Sequence, residues 1–187
     1  MPCYIARVSN IKKILLILFI FGIIGCSSAN IDMYRDESPS FNPFQYFKGN
    51  TKAWGIVQDR SGRVVRRFTV DIKGDSSEHK LTLDETFDYS DGTVDHRVWE
   101  IVKNPDGTIV GEADDILGLA HGSFLGNAMR WEYEMNLPVL GKVYKVKFDD
   151  WLWKLDHDSL INRSYIKKFG VTVAEVTLFF RKVPLEY

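Results

Sequence analysis

Side chains able to do chemistry are scattered along this chain. Asp149-Asp-Trp-Leu-Trp-Lys-Leu-Asp156 is the densest polar-aromatic motif, and Asp114-Asp115 is a second acidic pair. Neighbouring carboxylates on a strand point to opposite faces, so neither pair is a ready acid/base couple. His79, His96, His121 and His157 lack metal-ligand spacing, and no Cys remains to join them if Cys3 leaves with an export signal and Cys26 is acylated. Ser123 has no Gly-x-Ser-x-Gly elbow around it. Residues 111–127 are rich in small side chains, but no helix follows them and they lack the Lys-Ser/Thr pair of a phosphate loop. They read as a tight corner or a lid between two strands. These patterns assign no catalytic residue, metal or cofactor, and their balance is against an enzyme.

A different kind of site comes from alternation, which puts every second residue of a strand on one face. Met129, Trp131, Tyr133, Met135 and Leu137 share a face, opposite Arg130, Glu132, Glu134 and Asn136. Three further stripes are Val64, Arg66, Phe68, Val70 and Ile72; Leu81, Leu83, Glu85, Phe87 and Tyr89; and Tyr144, Val146, Phe148, Asp150 and Leu152. Each holds one charge among apolar neighbours. A lone buried charge is costly, so Arg66, Glu85 and Asp150 must pair, sit in solvent at strand ends, or line a wet cavity. In the last case they are polar anchors of a ligand site, with Trp54, Trp131 and Tyr133 as its wall.

The elements that would position these residues are strands. Alternating, β-rich runs cover 52–59, 63–73, 79–89, 94–103, 108–113, 127–137, 142–155, 159–169 and 172–183, and no window keeps a helical period over three turns. Short Gly/Asp/Pro turns such as Arg60-Ser-Gly62, Ser90-Asp-Gly92 and Asn104-Pro-Asp-Gly107 join them as antiparallel hairpins. A meander hides both of its edges by closing into an up-and-down barrel, here of about eight to ten strands. A two-sheet sandwich is the alternative. Missing crossover helices exclude an α/β fold.

The first 25 residues contain no acid, carry Arg7, Lys12 and Lys13, and run apolar from Ile14 to the Ile23-Ile24-Gly25-Cys26 ending. A basic stretch followed by a short apolar one fits an export signal, since a bilayer-spanning helix needs about 20 apolar residues. The ending resembles a lipobox, which predicts cleavage after Gly25 and acylation of Cys26 by a palmitate-type chain. An uncleaved N-terminal anchor is the alternative, and either one tethers the chain to a membrane. Residues 26–43 are polar and read as that tether, leaving 44–187 as one domain.

The 187 residues carry 24 Lys+Arg against 25 Asp+Glu, and removing the signal takes three of the cations. A mildly acidic domain without a basic cluster excludes nucleic acid as its main partner.

Phe47-Lys-Gly49, Ala53-Trp-Gly55, Asp59-Arg-Ser-Gly62, Tyr89-Ser-Asp-Gly92, Arg97-Val-Trp99, Gly126-Asn127-Ala128, Asp149-Asp-Trp151, Asn162-Arg163 and Lys168-Phe-Gly170 resemble the bacterial domain-of-unknown-function family 3833. The resemblance implies a lipobox-bearing envelope protein of Gram-negative bacteria and carries no activity with it. Ser27 after the cysteine, where Asp would signal inner-membrane retention, implies the periplasmic side of the outer membrane. The Gly-x-x-x-Ala-Trp-Gly opening is loosely similar to the start of a lipocalin barrel. Two expectations follow. One is a lipid-anchored barrel that binds or carries a small apolar or lipidic ligand; the other is a non-enzymatic interaction lipoprotein with a filled barrel, whose protein partner the sequence does not identify.

Overall fold

In the computed structural model, residues 29–139 and 141–184 are described. The expected signal segment and Cys26 lie outside the described residues. Ten antiparallel strands follow one another: β1 (Gly49–Asp59), β2 (Val64–Ser76), β3 (Lys80–Tyr89), β4 (Val94–Lys103), β5 (Ile109–Glu112), β6 (Ile116–Leu125), β7 (Ala128–Val139), β8 (Lys142–Lys154), β9 (Ser159–Lys168) and β10 (Val171–Lys182). Each pairs with its sequence neighbours, and β1 pairs with β10 from Thr51↔Lys182 to Asp59↔Ala174. The sheet is thus a closed barrel with no free edge, and the sandwich alternative falls away.

β6 occupies the segment expected to be a corner or lid. Gly122 on β6 and Gly111 on β5 are small because other groups come close. A Cβ on Gly122 would lie 2.2 Å from the Arg130 carbonyl oxygen and 2.7 Å from the Trp131 ring, and one on Gly111 would lie 3.0 Å from that same ring. A register shift between Leu117 and His121 further breaks the alternation that marks a strand.

The polar-tether expectation also needs correction, because the compact unit begins at Ile31. A 3₁₀ turn, Ile31–Tyr34, lays Tyr34 over Trp151 at 5.8 Å between ring centroids. Phe41 is buried, and a one-turn helix, Pro43–Tyr46, follows with the Asn42 side chain accepting from the Phe44 N–H. Phe41, Phe44, Tyr46 and Phe47 all join the core, with Phe47 edge-on to Phe180 at 6.0 Å. Ser76 Oγ donates to the Phe44 carbonyl at 2.6 Å, and Tyr46 Oη donates to the Asp158 carbonyl at 2.8 Å. These contacts lie at the end carrying the β2–β3, β6–β7 and β8–β9 connections. The N-terminal segment is therefore a plug, and that end of the barrel is closed.

The other end carries the short β1–β2, β3–β4, β5–β6, β7–β8 and β9–β10 turns, and no described segment crosses it. It is the mouth. Inside, the half nearest the plug is filled by Leu81, Leu83, Val70, Ile72, Trp99, Ile101 and Trp131, all buried.

Candidate functional site

Between that filled half and the mouth, the barrel interior holds a charged cluster. Glu85 on β3 pairs in register with Arg97 on β4, and Asp150 on β8 pairs with Ser164 on β9. Arg97 Nε donates to Asp115 Oδ2 at 3.0 Å, an acid brought in by the β5–β6 turn. Tyr133 on β7 stacks on Phe148 at 4.9 Å and meets Trp99 edge-on at 5.2 Å, forming the cluster's floor. Three carboxylates thus share one guanidinium.

Crowding shifts their protons. Glu85 is pushed up to about 7 by burial, with Asp115, Asp150 and Asp84 adding to the rise and Arg97 opposing it. Asp150 is also pushed up to about 7 by burial, against the lowering effect of the nearby Ser164 hydroxyl and Arg97. Burial raises the Tyr133 phenol well above its ordinary range. Both carboxyls are only partly buried, as are Phe87, Tyr89 and Tyr144 on the way to the mouth. Asp150 Oδ1 and Ser164 Oγ have no hydrogen-bond partner among the described residues. Buried polar atoms are nearly always paired, so this corner has unused bonding capacity.

Nearer the mouth the wall is aromatic. Phe68, Phe87 and Tyr89 lie within 6.2 Å of one another, centroid to centroid. Arg66 caps them, its guanidinium 3.4 Å from the centre of the Tyr89 ring and 3.0 Å from Asp91. The four apolar stripes read from sequence do face inward, and they bring Glu85, Asp150, Trp131 and Tyr133 together with Arg66 above them.

Trp54 is not part of this wall. Ala53 and Gly55 face the core, which turns Trp54 outward, 45% exposed and 6.3 Å from Phe179. The reason is local: Gly55 must face inward because a Cβ there would lie 2.3 Å from the Phe68 ring. Trp54 and Phe179 instead flank a groove of about 540 Å³ on the outer wall, beside Ile56, Arg67, Thr69 and Asp88.

Arg97 and Asp115 were not assigned to the ligand site from sequence, although Asp114-Asp115 stands out there as an acidic pair. Arg97 shares parity with buried Trp99 and Ile101, a stripe that marks it as inward-facing. Asp115 carries no comparable signal, since it acts from a turn. The Asp149-Asp150 pair does split across the sheet: Asp149 faces outward and is bridged by Arg130 at 2.8 Å and Lys167 at 2.6 Å, which hold its carboxyl below the usual range despite burial. The neighbouring tryptophans, Trp151 and Trp153, form the ledge on which Tyr34 rests. No group of three or more His, Cys, Asp or Glu among the described residues is placed to hold a metal.

A profile of the family described as a protein of unknown function, DUF3833, matches residues 20–182, and the chain belongs to that family. Among solved structures it is similar to the S-type phycobiliprotein lyase CPES from Guillardia theta. The TM-score is 0.52 at 10% identity, over 77% of this chain and 91% of that one. The shared architecture is a lipocalin-like barrel. Comparison with curated proteins finds no match.

Proposed function

We propose that this chain is a binding barrel for a small, mainly apolar molecule that carries a hydrogen-bond donor or a cationic group. The apolar part lies against Phe68, Phe87 and Tyr89, and the donor end meets Glu85, Asp150 and Ser164. One observation carries this reading: Asp150 Oδ1 and the Ser164 hydroxyl facing it have bonding capacity that no protein group fills among the described residues, inside a barrel, beside a cluster with more carboxylates than cations. A structural ion pair would satisfy its own atoms; a ligand anchor leaves them for the guest. The barrel of a lyase named for phycobiliproteins supports the reading by architecture alone.

The sequence before Ile31 supports lipid attachment through Cys26 and a place in the envelope, on the periplasmic face of the outer membrane. Growth with labelled palmitate tests the first point: label enters the parent chain and is lost in Cys26→Ser.

Native mass spectrometry after mild extraction, with titration of a fluorescent long-chain alkylamine and its matching fatty acid, tests binding. The amine binds saturably and more tightly than the acid. Asp150→Asn and Glu85→Gln weaken it about tenfold, the loss of one charge-assisted bond, while Trp54→Ala leaves it unchanged. Absence of co-purified ligand and of saturable binding refutes the proposal. That outcome favours the second reading, an interaction protein with a solid barrel, for which the packed Trp99, Trp131 and Tyr133 layer speaks.

A further inference from the structure

The two hairpin tips at one side of the mouth are built unlike the others. Phe169 is 95% exposed, and its φ of 51° is left-handed, as is that of Gly170 at 77°. Such a turn favours Asn-Gly or Gly-Gly, and a bulky aromatic there is an outlier. Neither burial nor turn preference therefore accounts for Phe169, whose one ring contact among the described residues is Lys168 Nζ at 5.4 Å. Beside it Val171 is 53% exposed, and on the adjoining β7–β8 turn Val143 is 67% and Val139 42% exposed. The two turns are neighbours because β8 pairs with β9.

Their charge has one sign. From Pro138 to Phe148 and from Ser164 to Ala174 there is no acid, while Lys142, Lys145, Lys147, Lys167 and Lys168 fall in these stretches. Lys145, Lys147 and Lys167 are paired with Glu134, Glu132 and Asp149 farther along the wall. Lys142 and Lys168, nearest the tips, have no ion pair among the described residues; Lys168 lies 3.9 Å from the centre of the Tyr144 ring. Of the other mouth turns, β3–β4 on the far side carries Asp91, β5–β6 beside the β7–β8 tip carries Asp114 and Asp115, and β1–β2 carries Arg60 and Arg63 beside Asp59.

We propose that the β7–β8 and β9–β10 tips dock the mouth of the barrel onto an anionic lipid surface. Phe169 and the valines enter the headgroup boundary while Lys142 and Lys168 meet lipid phosphates. This contact is separate from any attachment through Cys26. It places the mouth where an apolar guest could pass between bilayer and barrel without crossing water.

The test uses the full chain with Cys3→Ser and Cys26→Ser, carrying one bimane label at Thr172→Cys or, at the plugged end, at Asp106→Cys. Vesicles contain brominated lipid in either pure phosphatidylcholine or a mixture with phosphatidylglycerol. Quenching of the Thr172 label by about twofold or more on anionic vesicles, with the Asp106 label unaffected, is the expected result. Phe169→Asn with Lys142→Glu and Lys168→Glu abolishes it. Asn suits the left-handed turn, so the single Phe169→Asn variant melts no lower than the parent, and lost quenching cannot be laid to misfolding. An unquenched Thr172 label overturns the proposal, as does equal quenching on neutral vesicles or in the triple variant.

Discussion

Glu85→Gln should stabilise this protein at alkaline pH and do little at acid pH. Glu85 rises from 4.5 to about 7 on folding. Between those values the unfolded chain has released the proton while the folded chain keeps it, so stability falls as pH climbs from about 4.5 through about 7. At about 1.36 kcal/mol per pKa unit, the ionised Glu85 costs about 3 kcal/mol at pH 8. Solvent reaching the recess and coupling to Asp150 bring this nearer 2 kcal/mol. Gln removes that cost and keeps the shape. A domain of this size gains roughly 2–4 °C per kcal/mol, so the variant should melt about 4–8 °C above the parent at pH 8 and converge with it at about pH 4. Thermal melts at half-unit steps from about pH 4 to 8 read this directly. Parallel profiles for parent and variant, or a parent whose stability rises over this window, would refute the assignment of Glu85 as a buried, proton-holding acid.

Arg97→Met leaves Glu85, Asp115 and Asp150 facing one another, and urea titration should show a loss of about 3 kcal/mol at pH 8 that is much smaller at pH 5, where Glu85 and Asp150 are neutral. Gly74→Ala sets a Cβ 1.8 Å from the Phe47 carbonyl oxygen; it should displace the plug at a cost of about 2 kcal/mol and speed tryptic cleavage after Arg35. Asp149→Ala strands Arg130 and Lys167 and should cost about 2 kcal/mol at neutral pH. Because the Asp149 carboxyl is held below its usual range, that contribution is present above the unfolded value and disappears as pH falls through the folded one, so the two denaturation midpoints should close below about pH 4.

Strand parity was legible wherever the alternation ran unbroken, which is why the shared apolar faces of β2, β3, β7 and β8, with Glu85 and Asp150 on them, could be read without coordinates, though not how deep those acids lie. It was not legible where the residue facing inward is glycine. Gly55 reverses the reading of Trp54 and Gly122 makes β6 resemble a loop, because the rings filling the space above them belong to other strands, while Gly118 takes a left-handed φ of 73° where the β6 register shifts. Polar composition likewise concealed the plug, whose anchoring side chains, Tyr34, Phe41 and Phe44, are spaced too widely to form a pattern. Arg97 could have been found by parity. Asp115, acting from a turn, could not.

Closure through β1 and β10 also dictates an order of events. The first strand to leave any machine that makes or moves the chain amino end first has its second partner at the far end of the sequence, so β1 keeps an open edge until β10 arrives. The plug waits as well: its seats on β2, β6 and the β8–β9 turn are complete only once that turn has emerged, and Phe47 meets Phe180 only when β10 arrives. During that interval Phe41, Phe44 and Phe47 are an uncovered aromatic cluster next to an unpaired strand. Nascent chains stopped short of β10 should therefore be the form that attracts holding chaperones and aggregates, and the completed chain should cease to be a client within one closure event.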